Sequence, residues 1–464
     1  MLQKLRKRYV GDKAFYRMTL GIAVPIMIQN GISNFVSMLD NIMVGNVSAE
    51  QMSGVSIVNQ LIFVFNLMIF GAVSGAGIFG AQFYGSGDTK GVRDTFRFKM
   101  LSCLLLTLAG ILIFVGFGDT LIRLYLQGEG DAVQIEACFG YAKQYLWIML
   151  IGFIPFCVSQ CYASTLRETG ETILPMVSGI VAVVVNFFFN LILIFGLLGF
   201  PALGAAGAAI ATVISRFAEA AIVMIAVHRK KKKYEFIEGA YKSLRVPGYL
   251  VKGILQKGIP LLLNETLWAG GMAFLNQCYS VRGFDVVPAV NISSTISNVF
   301  NVSFIAMGSA IGIIIGQMLG AGKTEDAVET DRKLIAFSVV SCLLFAAALF
   351  ALSPVFPLIY KGVSTSSHRM ASSFMRIAAC CMPIGAYANA AYFTLRSGGK
   401  TFITILFDSC YVWLLVAPLA YCLSRFTSLP IIPLFFCCQF IEIGKCIIGA
   451  IMIKSGIWIN KIVS

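Results

Sequence analysis

Charge is what this chain is short of. Only 12% of its 464 residues are Asp, Glu, Lys or Arg, whereas 58% are hydrophobic. A soluble globular protein carries roughly 25% charged residues, and mean hydropathy here is +0.82. A soluble enzyme or signalling domain is excluded on that ground. Histidine is nearly missing too. The two present, His228 and His368, fall between apolar runs and are too few for a His-built metal centre. Asp-rich clusters of the kind metal–diphosphate chemistry requires are also lacking. The one close acidic run, TEDAVETD (324–331), reads as a solvated helix end, because the corresponding TKGVRDTF (89–96) of the first half lacks the cluster. A nucleotide-binding P-loop is absent, since GAGKT (320–324) has neither the preceding spacing nor a strand before it. These gaps argue against a membrane enzyme and against an ATP-driven pump. The 13 cysteines lie almost entirely in apolar runs, Cys380-Cys381 and Cys437-Cys438 included. They read as small buried apolar residues rather than a disulfide framework.

What the chain does have is long apolar runs. Twelve spans are expected, at 15–44, 53–81, 100–122, 141–165, 173–197, 205–227, 258–280, 288–318, 334–358, 373–395, 401–423 and 432–452. Each is enough to cross a hydrocarbon core of roughly 30 Å. With the N-terminus inside, the inner segments and their edges hold 27 of the 36 Lys and Arg and the outer ones 6. That bias orients both termini toward the cytoplasm. The net charge of +14 is therefore topogenic, and nucleic acid is not an expected partner. The first run is long and has no small-residue cleavage site after it, so no cleavable signal peptide is expected.

The longest polar stretch, 228–257, divides the chain into six spans and six spans. Shifted by 235 residues, the halves match without gaps: Pro25 on Pro260, Asn41 on Asn276, Asn66 on Asn301, Ser74 on Ser309, Gly77 on Gly312 and Gln82 on Gln317. Gly85 and Gly87 fall on Gly320 and Gly322, and TLRETGET (165–172) resembles TLRSGGKT (394–401). The expected fold is an all-α polytopic membrane protein, twelve transmembrane helices in two pseudo-symmetric six-helix bundles. Its parts are an N-lobe (1–228), a cytoplasmic basic linker (229–257) and a C-lobe (258–464). An even number of spans gives both bundles one orientation, with a pseudo-two-fold axis along the membrane normal and a substrate cavity between them. That arrangement suits alternating access.

Five acids lie within spans more than three residues from an end: Asp40, Glu219, Glu265, Asp408 and Glu442. Each costs roughly 2.5–3.5 kcal/mol near a helix centre and needs a partner, a cavity or a proton. Arg216–Glu219 and Glu442–Lys445 are three apart, a spacing that suits structural pairs. Asp40, in SMLDNIMVG (37–45), has no basic neighbour in its span. It lies about six residues, or roughly 9 Å, from the outer end. Asn186 and Asn190 reach a similar depth on the fifth span, so one shared site is expected, with interhelical glue as the plainer role. Glu265 and Asp408 share a depth in the second half. They are candidates to share a proton, hold Na+ or attract a cationic substrate; alternatively Asp408 caps its helix start. Pro25 lies on the helix of Asp40, and a bend there is expected to respond to the charge of the aspartate.

At this point the sequence resembles the multidrug and toxic compound extrusion transporters. The resemblance covers essentially the whole chain. It rests on MLDNIMVGNVSAEQMSGVSIVNQ (38–60), VNFFFNLILIFGLLGFPALGAAGAAIATVISR (185–216) and TLRSGGKT (394–401). It implies a twelve-helix fold of two lobes and efflux of organic cations in exchange for Na+ or H+. Asp40 matches the family's first-helix aspartate in the N-lobe cation site. Asn186 and Asn190 match the polar pair of its fifth helix, whose second member is often Asp, and Thr212 a small polar ligand on the sixth. Glu265 matches a seventh-helix glutamate found in some branches. Those branches pair it with an aspartate on helix ten, but here MPIGAYANAAYF (382–393) has no acid and the expected position falls near Gly385. Asp408 would have to replace it. The reading is a secondary antiporter, not an enzyme, that exports amphipathic, cationic compounds. It uses no cofactor beyond H+ or Na+, with Na+ a candidate at Asp40 or Glu265. It is expected to be a monomer in the cell membrane, contacting lipid and a small organic substrate. The rival is a flippase of lipid-linked or polysaccharide intermediates, disfavoured because only Arg216, Arg376 and Lys445 lie within spans more than two residues from an end.

Overall fold

The computed structural model describes residues 8–45, 47–126, 132–283, 285–360 and 363–463; the side chains of 36–42, 45 and 49 lie outside that description. Among the described residues there is no strand. Among the described residues from Lys13 on, fourteen α-helices follow one another: α1 (Lys13–Gly45), α2 (Ala49–Ser86), α3 (Thr89–Tyr125), α4 (Ala132–Ile151), α5 (Phe153–Glu168), α6 (Ile173–Phe195) and α7 (Ala205–Arg229), then α8 (Gly248–Ser280), α9 (Val286–Gly320), α10 (Thr324–Leu352), α11 (Thr365–Ser397), α12 (Thr401–Phe426), α13 (Ile431–Phe440) and α14 (Ile443–Lys454). Every expected span coincides with one helix or with a consecutive pair. Among the described residues, eight stretches are long and apolar enough to cross a membrane, α13 with α14 counting as one (Ile431–Lys454), and α4 with α5 passes the same test only as a pair bent by 48°. The break falls at Gly152, with Pro155 in the first turn of α5, where a missing N–H costs no helical bond. The helices α1, α8 and α11 each carry an internal proline, Pro25, Pro260 and Pro383.

The turns carry the repeat as well. Gly87, after α2, and Gly322, after α9, both have positive φ, 77° and 74°. Only glycine takes that backbone without strain, which explains why both copies keep it. Asp88 then caps α3, its Oδ1 accepting from the Gly91 N–H at 2.9 Å.

Two compact units result. One comprises Ile28–Gly80 and Asp88–Gly258; the other Met1–Met27, Ala81–Gly87 and Ile259–Ser464. The chain thus passes between units within α1 just after Pro25 and within α8 just before Pro260. In the first unit the core is aromatic: Phe65 stacks on Phe153 at 4.1 Å, and Phe96 meets Tyr162 edge-on at 5.0 Å. The basic segment after α7 packs onto this unit. Tyr234, Phe236, Ile237 and Ala240 are buried, and Arg97 donates to the carbonyls of Gly239 (2.7 Å) and Ala240 (2.8 Å). In the second unit Phe374, Met375, Leu434 and Phe435 belong to a core that draws on every helix from α8 to α13.

Candidate functional site

The first polar cluster is built on close helix approach. The small residues that open α7, Ala205 to Ala209 around Gly207, let it lie against α6: a Cβ on Gly207 would sit 2.4 Å from the Leu193 carbonyl oxygen. Helices that pack through small residues bring polar side chains within reach of one another. Asn190 Nδ2 donates to Asn186 Oδ1 at 3.0 Å, one turn away on α6. Asn186 Nδ2 donates in turn to Thr212 Oγ1 on α7 at 3.2 Å. Asn186 is 5% exposed and Asn190 0%. The structure therefore joins three of the residues singled out from sequence in one buried chain of hydrogen bonds. The fourth, Asp40, lies on α1, but its side chain is outside the described residues.

The second cluster gathers around Asp408. Here α12 widens into π-helical turns over Leu406–Cys410. Such a widening loosens the backbone ladder and often marks a functional position. The side chain of Asn264, on α8, takes up the slack: its Oδ1 accepts from Ser409 N (3.3 Å) and Ser409 Oγ (2.7 Å), while its Nδ2 donates to Asp408 Oδ2 at 3.1 Å. Lys445 Nζ on α14 donates to Asp408 Oδ1 at 2.8 Å. Glu265, beside Asn264, accepts from the Tyr392 hydroxyl at 3.3 Å and has Arg396 and Asp408 as charged neighbours. Glu265 and Asp408 thus share one polar region, and the charge of Asp408 is matched by an ammonium.

Of the two local pairs read from spacing, Glu442–Lys445 is present among the described residues and Arg216–Glu219 is not. Lys445 is nearer Asp408 than Glu442, which it approaches only to 3.5 Å. Residue spacing could not show this, because the better partner lies on another helix. Arg216 and Glu219 form no ion pair within 4 Å among the described residues. The Arg216 guanidinium lies over the Phe156 ring at 4.9 Å, and Arg167 and Arg216 act on Glu219 through space.

Three buried charged residues, Lys99, Glu168 and Asp331, escaped sequence reasoning because they sit just beyond the ends of the expected spans. Lys99, 0% exposed, pairs with Glu168 at 2.5 Å, and the hydroxyls of Ser164 and Thr165 lie 3.2 Å from its Nζ. The carboxylate lies in a groove that Gly77 and Gly80 leave open; a Cβ on Gly80 would be 2.1 Å from Glu168 Oε2. The repeated TLRETGET motif and its glycines were the available signal. TEDAVETD opens α10 with Glu325, Asp326 and Glu329 exposed, as expected, and Asp331 is the exception. It is wholly buried, and Thr394 Oγ1 lies 2.6 Å from its Oδ1. In the first unit a groove of about 410 Å³ is lined by Ser56, Asn59, Gln60, Phe63, Val64 and Tyr125. Amide, hydroxyl and aromatic groups together suit an amphipathic molecule.

Comparison with known proteins agrees with this architecture. A family model described as MatE matches residues 25–192 and 260–422, once in each half. The chain is 25% identical over 417 residues to "Probable multidrug resistance protein NorM" of Thermotoga maritima, covering 88% of this chain and 85% of that one. It is 23% identical over 410 residues to "Probable multidrug resistance protein YoeA" of Bacillus subtilis, covering 88% and 87%. The fold superposes with a TM-score of 0.87 on the outward-facing conformation of a multidrug resistance MATE family transporter of the MOP superfamily, at 17% identity over 98% of this chain and 97% of that one.

Proposed function

The chain belongs to the MatE family, and from that premise we propose that it is a secondary antiporter. It exports amphipathic, cationic organic compounds in exchange for H+ or Na+. The observation that carries this reading is the Asn190–Asn186–Thr212 chain of hydrogen bonds between α6 and α7, with both asparagines buried. Oxygen-rich polar groups at that depth are the ligands a hard cation requires, and Asp40 supplies the negative charge. The multidrug resistance names of the relatives support the substrate class.

The N-lobe (1–228) and C-lobe (258–464) rock to open first inward and then outward, with the 229–257 linker and both termini cytoplasmic. A monomer in the cell membrane suffices for this cycle. Substrate enters from the cytoplasm; a cation arriving at Asp40 then favours release outside, and linkage makes the effect of ion on substrate equal to that of substrate on ion. One charge moving through 100 mV supplies about 2.3 kcal/mol. Pro25 is the bend in α1 through which the charge state of Asp40 reaches the inner half of the helix. Glu265 serves the C-lobe as a second acid for the ion or the substrate. Asp408, held by Lys445, positions that region. The pairing of Lys445 also weakens the flippase alternative, which requires basic groups available to an anionic lipid.

Dye efflux from proteoliposomes under separately applied pH and Na+ gradients tests the reading. One gradient should drive export by the wild-type protein, and Asp40→Asn should abolish it with folding intact. Undiminished export by a well-folded Asp40→Asn protein would overturn the assignment.

A further inference from the structure

Three thiols meet inside the first unit. Cys103 lies on α3 one turn beyond Lys99, and Cys157 and Cys161 lie one turn apart on α5. Their sulfur atoms are all within 4.8 Å of one another, and none of the three residues is more than 1% exposed. The Thr107 hydroxyl, a further turn along α3, neighbours Cys157; it is wholly buried and without a hydrogen-bond partner among the described residues. The sequence shows only the Cys157/Cys161 spacing. Three buried cysteines packing as small apolar groups would account for the sulfurs but not for the polar group beside them.

We propose that Cys103, Cys157 and Cys161 form a three-sulfur site for a trivalent, thiol-seeking centre of the arsenite or antimonite class. Thiolates select soft ions, and charge decides among them. A Cu(I) or Zn(II) ion on three thiolates leaves net negative charge, and uncompensated charge inside a dry bundle is costly. The nearby cation, Lys99, does not offset it, because its ammonium is held by Glu168 at 2.5 and 2.6 Å. The neutral trihydroxide avoids the problem. Three As–O bonds and three S–H bonds break, three As–S bonds form, and each thiol proton leaves with a hydroxide as water. No electrons are exchanged and no charge is buried. The Thr107 hydroxyl is placed to hydrogen-bond a hydroxide as it departs. Local opening of the bundle admits the small neutral reagent, and the product joins α3 to α5.

The test takes the full chain, reduced in detergent and incubated with sodium arsenite. Intact-mass measurement should show one arsenic gained and three protons lost, and X-ray absorption should show three sulfur neighbours. Cys103→Ala, Cys157→Ala and Cys161→Ala should each abolish this product. A variant with alanine in place of Cys380, Cys381, Cys437 and Cys438 should retain it. Arsenite should also raise the unfolding temperature of the wild type and leave that of Cys103→Ala unmoved. Equal uptake by a folded Cys103→Ala protein, fewer than three sulfur neighbours, or loss of uptake in the four-alanine variant would each overturn the proposal.

Discussion

Gly85 and Gly320 are reciprocal: each leaves room for the backbone of the other's helix. A Cβ on Gly85 would fall 1.9 Å from the Gln317 carbonyl oxygen, and one on Gly320 would fall 2.0 Å from that of Gln82. The four residues are two pairs from the 235-residue repeat, so the contact is a local two-fold. Gln82, 0% exposed, also holds the chain's last described segment: its Nε2 donates to the Ser397 and Asn460 carbonyls, and its Oε1 accepts from Ile462 N at 2.8 Å. The obstruction at each glycine is backbone, which cannot swing aside. Gly85→Ala and Gly320→Ala should therefore each cost about 1–3 kcal/mol, the usual range for overpacking. Thermal unfolding in detergent measures this. Gly116→Ala is the control, since a Cβ there meets nothing within 4 Å.

Asn190→Ala removes the donor to Asn186 and should cost about 0.5–1.5 kcal/mol of stability. If the amides serve only as helix glue, dye efflux will fall no more than the amount of folded protein does. If they serve the cation site, efflux per folded molecule will drop and the ion concentration for half-maximal export will rise. Titrating the driving ion against efflux in the variant separates the two.

Lys445→Met leaves Asp408 without its ammonium. Removing one partner of a buried pair typically costs 3–5 kcal/mol; with Asp408 22% exposed in its side chain, about 3 kcal/mol is expected. The double variant Asp408→Asn, Lys445→Met should recover most of that loss. Additive losses in the double-mutant cycle would show that the pair does not couple.

Glu171 and Lys233 fasten the basic segment to the first unit, outside the spans. Burial pushes the Glu171 carboxyl up, but the Lys233 ammonium outweighs it and holds the group below its ordinary value. The same bond raises Lys233. A depressed acid contributes above its unfolded pKa and loses that contribution as pH falls through the folded one. A raised lysine contributes below its unfolded pKa and loses that contribution as pH rises through the folded one. Fastening should thus be constant near neutrality and weaken at both extremes. Glu171→Gln should speed tryptic cleavage at Lys242 and Arg245 at neutral pH, and identical cleavage rates in wild type and variant would refute the latch.

Helix positions were legible because the apolar runs are long and the bilayer allows little else: a backbone in hydrocarbon must satisfy its own hydrogen bonds. The repeat was legible because glycine at 87 and 322 answers a backbone demand that no other residue meets as easily. Asn186, Asn190 and Thr212 could be grouped from depth and resemblance, since one face of α6 and a small-residue stretch of α7 dictate where those side chains point. Partners across helices were a different matter. Lys445 looked committed to Glu442 three residues away, yet Asp408 on another helix holds it more closely. Lys99 and Glu168 lie just outside the expected spans, yet they are buried together because Gly77 and Gly80 clear the space. The three cysteines looked like filler until α3 and α5 were laid side by side. Sequence alone determined which segments are helical, how they repeat and which polar residues sit at a cost in the spans. Only the tertiary structure decided which polar and thiol groups offset that cost for one another, because those distances depend on helix crossing and rotation, set by packing along the whole length of each helix.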